Sequence, residues 1–329
     1  QLDHEIEDYE PSSGKFVAWV RIPTLSLNVD TVIYMYYGNS CIDSPTENVP
    51  GVWNSNYQGV WHLGEKYALD FDGGDDYVEI SNEANFDFAS GDVSVSAWIY
   101  SKAAQPDWAG IVSKYPFGSG SGWTLQFHDT DQVVFEWDNG GTFYAAITND
   151  DIPQDEWVHI VGQVEGTTLK IYVNGVLQTV TDELTGRQTN DHAVWIGTEG
   201  GENIKFQGQI DEVRIWTRAL IPTEISDLYQ GSPVSRTGLV GEWLMNDRTG
   251  NTVSDSSGEG NDGNMTGHAA TWIPAAKDST LNANHGTSAG SMTSADQVSG
   301  RINGSLDFDG SDDYVSFASQ GQTVITLSA

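Results

Sequence analysis

The chain has 329 residues, with 47 Asp and Glu against 14 Lys and Arg, a formal charge of −33, and one cysteine, Cys41. That balance excludes a binder of phosphate backbones, which needs clustered Lys and Arg, and disfavours docking on an anionic membrane. The lone cysteine excludes an intrachain disulfide or a cysteine-based metal site, and no stretch is apolar enough for a membrane-spanning helix. The length suits roughly two domains. So acidic a surface suits salty water and cations such as Ca²⁺; a solvated, self-repelling surface is the plainer reading.

The chain opens on "QLDHEIEDYE", which reads as the middle of something longer, so export cannot be judged from a leader. "TVIYMYYGN" (31–39) and "GVWHL" (59–63) follow, then "ALDFDGGDDYVEIS" (68–81), an acidic strand–turn–strand that returns as "SLDFDGSDDYVSFA" (305–318). "DVSVSAWIY" (92–100) alternates Val93, Val95, Ala97 and Ile99 against Ser94, Ser96 and Trp98, the period of a strand. Residues 157–180 read as two successive hairpins, with turns at Glu165–Thr168 and at Asn174-Gly175, the pair suited to a type I′ turn. "AVWIGT" and "GQIDEVRIWTRAL" add two strands. "PTEISDLYQG" (222–231) is the one convincing helix, with Pro222 and Glu224 in its first turn and Gly231 at its stop. Many short strands and one short helix predict an all-β, antiparallel sandwich.

Four stretches, "LDFDGGDDYVEI", "VSVSAWIY", "DEWVHIVGQVEGTTLKIYVNGV" and "GQIDEVRIWTRALIPTEISDLY", match in order and spacing a known family. Residues 68–231 resemble the laminin-G-like, concanavalin-A-like jelly rolls of secreted prokaryotic surface proteins. Residues 1–65 resemble the C-terminal part of a small β-domain of unknown function that commonly accompanies them. Residues 238–329 resemble the start of a second jelly roll. The resemblance implies three units: 1–58, part of the small β-domain; 59–237, a jelly roll whose first strand could come from 238–276; and 238–329, a truncated second jelly roll. It also implies that Trp98, Trp157 and Trp216 pack in regular strands.

In the family a first strand of the G-x-W-x-L kind leads into an acidic Gly/Asn-rich loop and then into "LDFDG". Here "GVWHL" reaches "ALDFDG" through Gly64, Glu65, Lys66 and Tyr67 alone, whereas the second copy carries two such loops in tandem, "DSSGEGNDGNMTG" (255–267) and "DSTLNANHGTSAG" (278–290). An exchange near 65/66 and 276/277 restores one loop to each; otherwise the loops are simply variable. The exchange predicts Leu239–Met245 beside the strand around Val213–Trp216, with "GVWHL" joining residues 277–329 or displaced. The alternative puts Val60–Leu63 there, favoured by the shorter loop closure.

For chemistry, hydrolases built on such sandwiches use carboxylates at alternate strand positions, ~5–5.5 Å apart in the retaining case. "DHEIEDYE" lies outside the jelly roll and "DEW" (155–157) sits at a strand entrance, so the chain reads as a non-enzyme. "GSGSGW" (118–123) lacks the Lys-Ser/Thr of a phosphate cradle, and the seven histidines show no metal spacing. Asp70, Asp72, Asp75 and Asp76 crowd one turn, which suits Ca²⁺ and its irregular oxygen shell. By resemblance Asp72, Asp75 and Asp76 would be joined by Asp211 or Glu212; otherwise Asp72 and Asp76 cap the turn through backbone N–H groups. Asp309, Asp312 and Asp313 repeat the pattern. Trp108, Trp123 and Trp137, near Tyr115, Phe117 and Asp138, are assigned to variable loops, where an aromatic stacks on a sugar face while an acid takes its hydroxyls; the alternative is that they cover a sheet edge. The expected protein is a calcium-stabilised module of a secreted or cell-surface protein, binding a glycan or extracellular protein or assembling with copies of itself, with no nucleic acid and no membrane insertion. The runner-up is an accessory carbohydrate-binding module of a polysaccharide-degrading enzyme.

Overall fold

The computed structural model describes residues 1–317 except 11–13, 40–45, 63–65, 103, 117–119, 201–203, 268–269, 281, 283, 290–291, 300–303, 307, 309–310 and 313. Cys41, Phe117, Asp309, Asp313 and the link from Glu65 to Lys66 lie outside the described residues, as does "TVITLSA".

The strands run in chain order β1 (His4–Glu10), β2 (Lys15–Val20), β3 (Tyr67–Asp72), β4 (Tyr77–Ile80), β5 (Val93–Ser101), β6 (Gly110–Lys114), β7 (Gly122–His128), β8 (Gln132–Asp138), β9 (Phe143–Ile147), β10 (Trp157–Glu165), β11 (Thr168–Val173), β12 (Val176–Leu177), β13 (Asp182–Glu183), β14 (Val194–Ile196) and β15 (Gln207–Trp216). Then come β16 (Leu239–Trp243), β17 (Thr252–Val253), β18 (Gly263–Thr266), β19 (Thr271–Ala276), β20 (Gly286–Ala289), β21 (Gln297–Ser299), β22 (Gly304–Leu306) and β23 (Tyr314–Phe317). Helix α1 is Val49–Val52 and α2 is Pro222–Tyr229.

Two antiparallel sheets face each other. One runs β12-β11-β10-β5-β15-β3-β19-β20-β23, with β13 beside β11 and β16 beside β15; the other runs β17-β18-β4-β14-β6-β7-β8-β9. The core between them is filled by Leu69, Phe71, Val95, Ile99, Phe127, Phe135, Val213, Ile215 and Trp243, all essentially buried. The two hairpin turns are as expected: Glu165 faces Thr168 across Gly166 (φ +63), and Val173 faces Val176 across Asn174 (φ +48) and Gly175 (φ +80). In α2 Glu224 accepts from the Ile221 N–H at 3.0 Å, and Gly231 closes the helix at φ +68.

Strand β5 departs from simple alternation, because all nine residues are buried. Its outer face is covered by the 218–228 segment. The Ser94 hydroxyl donates to the Arg218 carbonyl at 2.9 Å and accepts from the Leu220 N–H at 3.1 Å, while Leu220, Ile225 and Leu228 pack on Val161 and Tyr172.

Strand β16 lies along β15, with Trp243 opposite Val213, Glu242 opposite Arg214 and Gly241 opposite Ile215. The later segment therefore takes the place beside β15, and a division at 237/238 separates no sheets. Strand β19 closes the same sheet on β3, with Thr271 opposite Asp70 and Pro274 opposite Tyr67, and β18 pairs with β4. The described part of "GVWHL" goes elsewhere: Trp61 bridges to Asp278, and the Ser279 N–H donates to the Val60 carbonyl at 2.9 Å.

The two tandem acidic loops clamp the two front strands in the same way. The Asp255 carboxylate accepts from the N–H groups of Glu242 (3.0 Å), Ser257 (2.9 Å) and Asn261 (2.9 Å) and from the Ser257 hydroxyl (2.7 Å). The Asp278 carboxylate accepts from the N–H groups of Val60 (2.8 Å), Thr280 (2.9 Å) and Asn284 (2.9 Å) and from the Thr280 hydroxyl (2.8 Å). The Trp243 indole donates to the Asn261 carbonyl at 2.9 Å, and that of Trp61 to the Asn284 carbonyl at 2.7 Å. Each aspartate thus uses both oxygens to fix a strand to its own loop, one local and one more than 200 residues away. Residues 67–276 form a sheet-complete jelly roll nested between 61 and 278. Its two ends lie side by side, with the Ala275 N–H donating to the Lys66 carbonyl at 2.9 Å.

Candidate functional site

The acidic turn keeps its shape through its own carboxylates. Gly73 takes φ +81, the Gly74 N–H donates to Asp72 Oδ1 at 2.6 Å, and the Asp72 N–H donates to Asp76 Oδ2 at 3.2 Å. Turn capping by Asp72 and Asp76 is therefore present. It leaves an oxygen over: Asp76 is 2% exposed and its Oδ1 has no hydrogen-bond partner among the described residues. One carboxylate oxygen each from Asp72, Asp75 and Asp76 lies within 4.8 Å of the others. Burial, together with Asp72 and Asp75, pushes the Asp76 carboxyl up from its ordinary value, as expected of crowded acids with no cation. An orphaned buried oxygen beside two further carboxylates fits a hard cation. In the second copy, the described Asp312 is exposed.

Asp211 and Glu212 do not join this turn. They lie further along β15, at a bulge where β15 changes partner from β3 to β16 and Glu212 takes φ +47. Lys277 meets Asp211 at 2.8 Å and Glu212 at 2.6 Å; Arg214 meets Glu212 at 3.0 Å and Glu242 at 2.9 Å; Arg236 meets Glu242 at 2.6 Å. Against the cost of burial, Lys277 and Arg214 hold the Glu212 carboxyl well below its usual range, while burial pushes Asp211 up to about 6. This chain of alternating charges joins the nested jelly roll to the returning segment.

Two of the three tryptophans expected at a sugar-binding edge sit in the core. Trp123 in β7 and Trp137 in β8 are opposite one another and 1% exposed, on the face shared with Leu125, Phe127, Val133 and Phe135. Trp123 stacks on Phe88 at 5.9 Å. Neither can offer a face to an external sugar. The i, i+2, i+4 spacing of "WTLQF" and "VVFEW" carried that information, and reading both as loops hid it. Trp108 remains half-buried, at φ +72, edge-on to His128 at 5.0 Å.

The same alternation turns Thr124, Gln126, Glu136 and Asp138 to the outer face of that sheet. Asp138 accepts from the Gly141 N–H at 2.6 Å and the Tyr115 hydroxyl at 3.2 Å. Glu136 is pushed up to about 7 by burial and Asp138, and Glu199 to about 8 by burial and Glu136. Glu199 Oε2 and Gln126 Nε2 are buried here with no hydrogen-bond partner among the described residues. "EWD" (136–138) was not recognised in the sequence as a carboxylate pair; its signal was the alternation itself. A carboxyl raised in the folded state contributes stability below its unfolded pKa and loses it as pH rises towards its folded one. Glu136→Gln is therefore expected to stabilise the protein at pH ~8 by on the order of 1–3 kcal/mol and to change little at pH ~4, read by urea denaturation at both. A loss of stability at the higher pH would show that Glu136 is held by attraction.

The fold is a laminin-G-like, concanavalin-A-like jelly roll with flanking partial β-units. Residues 72–226 match the family described as the concanavalin A-like lectin/glucanases superfamily, and residues 1–53 match the domain of unknown function DUF2341. No curated protein matches the chain. A solved structure from Bacteroides ovatus described as a carbohydrate binding protein aligns at 19% identity and TM-score 0.49, over 62% of this chain and 59% of its own. Domain 4 of AbnA, an extracellular arabinanase from Geobacillus stearothermophilus, in complex with arabinotriose, aligns at 21% and 0.42 over 52% and 81%. Ruminococcus gnavus IT-sialidase CBM40 bound to alpha2,3 sialyllactose aligns at 14% and 0.42 over 50% and 97%. Among the described residues no helix is long and apolar enough to cross a membrane.

Proposed function

We propose that this chain is a non-catalytic, calcium-stabilised binding module of a secreted or cell-surface protein, and that it recognises a glycan on the outer face of β6–β9. What supports the reading is the polar row of Tyr115, Gln126, Glu136 and Glu199 on that face, in which Gln126 Nε2 and Glu199 Oε2 have no hydrogen-bond partner among the described residues; all four side chains are buried, so a glycan would meet the row at Glu136, the most exposed of them at 9%. A carboxyl that holds its proton near neutral pH both donates and accepts, as a sugar hydroxyl does. Binding without turnover is favoured over hydrolysis because both oxygens of Asp138 are engaged by Tyr115 and Gly141. A glycan array with and without chelator tests this reading. Retained binding of neutral glycans that Glu136→Gln or Gln126→Leu weakens supports it. Reducing-end release that survives repurification and disappears in Glu136→Gln would overturn the non-catalytic part.

The proposed calcium site is Asp72, Asp75 and Asp76, where the ion would take up the open oxygen of Asp76 and relieve the repulsion among the three carboxylates. Calorimetric titration of metal-free protein with Ca²⁺ is expected to give saturable heat and a Tm that rises with Ca²⁺ concentration. Both effects should vanish in Asp76→Asn. No heat, together with a flat Tm at millimolar Ca²⁺, refutes the site.

A further inference from the structure

The seam between the nested jelly roll and the returning segment holds an amine against a buried carboxyl. Lys277, the first residue past β19, reaches the bulge of β15, where its Nζ lies 2.8 Å from Asp211 Oδ2 and 2.6 Å from Glu212 Oε1. The Asp211 side chain is 1% exposed, whereas the acids that meet Lys102, Lys114 and Lys170 are 23 to 55% exposed. One C–O bond of ~1.2 Å separates Oδ2 from Cγ, so Nζ stands within ~4 Å of the carboxyl carbon. Attack needs the reacting atoms at ~3–3.5 Å, a small closing movement. The other oxygen, Asp211 Oδ1, accepts the Glu212 N–H at 2.6 Å. A backbone donor aimed at that oxygen stabilises the charge an attacked carboxyl develops there. Trp98 lies opposite Asp211 on β5, and the rings of His159 and His285 pack on Trp98. Aromatic rings therefore border the pair.

The two acids divide the roles that an amine and a carboxyl need in order to condense. Burial pushes the Asp211 carboxyl up to about 6, against the pull of Lys277. Against the cost of burial, Lys277 and Arg214 keep Glu212 ionised. Neighbouring acids whose affinities for a proton are driven apart act as donor and acceptor of protons. Lys277 rests as an ammonium, held against burial by both acids. An ion pair taken out of water carries a desolvation cost that its attraction need not repay. A neutral amide removes both charges and leaves Glu212 and Glu242 facing Arg214 and Arg236, two of each sign.

We propose that Lys277 and Asp211 condense to an intramolecular amide, with Glu212 as the proton carrier, and that this bond ties the returning segment covalently to β15. Lys277 first passes one proton to Asp211 Oδ2, which gives an amine beside a carboxylic acid. The Nζ lone pair then forms a bond to Cγ, and the Glu212 N–H meets the oxyanion on Oδ1. Glu212 Oε1 takes a second proton from Nζ and returns it to the Oδ2 hydroxyl, which leaves as water when its bond to Cγ breaks. Of the three ammonium protons one stays on the amide and two depart in the water; nothing is oxidised or reduced. Amide formation in open water is unfavourable, but groups fixed in this way react at effective concentrations of ~10⁵–10⁸ M.

The test is the intact mass of the whole chain, folded, incubated at neutral pH and then denatured for mass spectrometry. The expected mass is that of the sequence less one water. A tryptic digest should join peptide 206–214 to peptide 249–301, with cleavage after Lys277 lost. Lys277→Arg keeps the cation, and Asp211→Ala removes the carboxyl; both should show the full sequence mass. Glu212→Gln keeps the side-chain shape and should lower the bonded fraction at least tenfold at equal incubation time. An unaltered wild-type mass after days of incubation overturns the bond. So does a missing water that maps within a single peptide, as a succinimide would. A bond that forms as fast in Glu212→Gln as in the wild type overturns the role of Glu212.

Discussion

Residues 66–277, produced alone, are expected to fold cooperatively, with a Tm close to that of the same jelly roll in the whole chain. A fragment ending at residue 237 is expected to be insoluble or unfolded. The longer fragment contains every strand that pairs within the nested unit, including β16, β18 and β19. The shorter one bares the edges of β15, β3 and β4 and opens the core beneath Trp243, which is wholly buried and sits 6.0 Å from Phe86. Open edges of this kind template aggregation. In the full chain Trp243→Ala should cost about 3–5 kcal/mol by urea denaturation, as large core truncations do. Trp61→Ala, in the equivalent front strand, should leave the unfolding of the nested unit unchanged. Soluble, cooperatively unfolding 66–237 would show that β15, β3 and β4 do not need β16, β18 and β19 to close the jelly roll.

The second large effect is loss of stability in acid. His159 is 1% exposed, neither ring nitrogen has a hydrogen-bond partner among the described residues, and its ring lies 5.1 Å from Trp98. His285, from the returning segment, stands edge-on to the same Trp98 at 4.5 Å and accepts the Asp278 N–H on Nδ1 at 3.0 Å. Burial pushes both imidazoles down to about 3 from an ordinary 6.5; Glu212 opposes this, Lys277 adds to it for both, and Arg214 adds to it for His159. A folded state that refuses a proton accepted by the unfolded state loses stability as pH falls below the unfolded pKa. The window therefore runs from pH 6.5 down to about 3. The slope is about 1.4 kcal/mol per pH unit for fully buried His159, or ~2 kcal/mol by pH 5. The half-buried His285 should contribute less. His159→Phe keeps an aromatic ring against Trp98 and removes two unsatisfied nitrogens. It should raise stability at pH ~7 by about 1–3 kcal/mol and flatten the acid limb of a urea-midpoint-versus-pH curve. An acid limb identical in wild type and variant would assign the sensitivity to other groups.

Much of the fold was legible because the sequence repeats itself. Each front strand and acidic loop is a cassette, so the imbalance of loops between the two copies pointed to β16 as the missing edge before any pairing was known. The structural reason is the bonding of Asp255 and Asp278, which leaves neither loop free to serve the other strand. Turns and helix ends were legible too, since Asn174-Gly175 and Gly231 occupy backbone regions that few other residues reach without cost. The candidate site was legible only where it is local. Asp72, Asp75 and Asp76 share one turn, whereas Asp211 was attached by resemblance and belongs to the Lys277 seam. Period-two patterning gives the faces of a strand but not what covers them. That is why Ser94 and Ser96 are buried, why Trp123 and Trp137 point inward, and why Glu136 and Glu199 meet on a face whose burial no local pattern reveals.

The closeness of the two ends of the nested jelly roll governs how the chain would carry tension. A pull applied beyond residues 59 and 289 meets two attachments before it reaches the nested unit: the pairing of β20 with β19, and the bridge between Trp61 and Asp278. While both attachments and the Asp278 clamp stand, Lys66 and Ala275 stay hydrogen-bonded neighbours and the ladder between β3 and β19 is spared. Once the outer clamp yields, the force enters at one end of two adjacent antiparallel strands and opens their ladder bond by bond, like a zipper. Extension of this protein would then come in two stages, a first release of the outer strands followed by unravelling of the strands within, so that the nested unit is a reserve of length sheltered by its host.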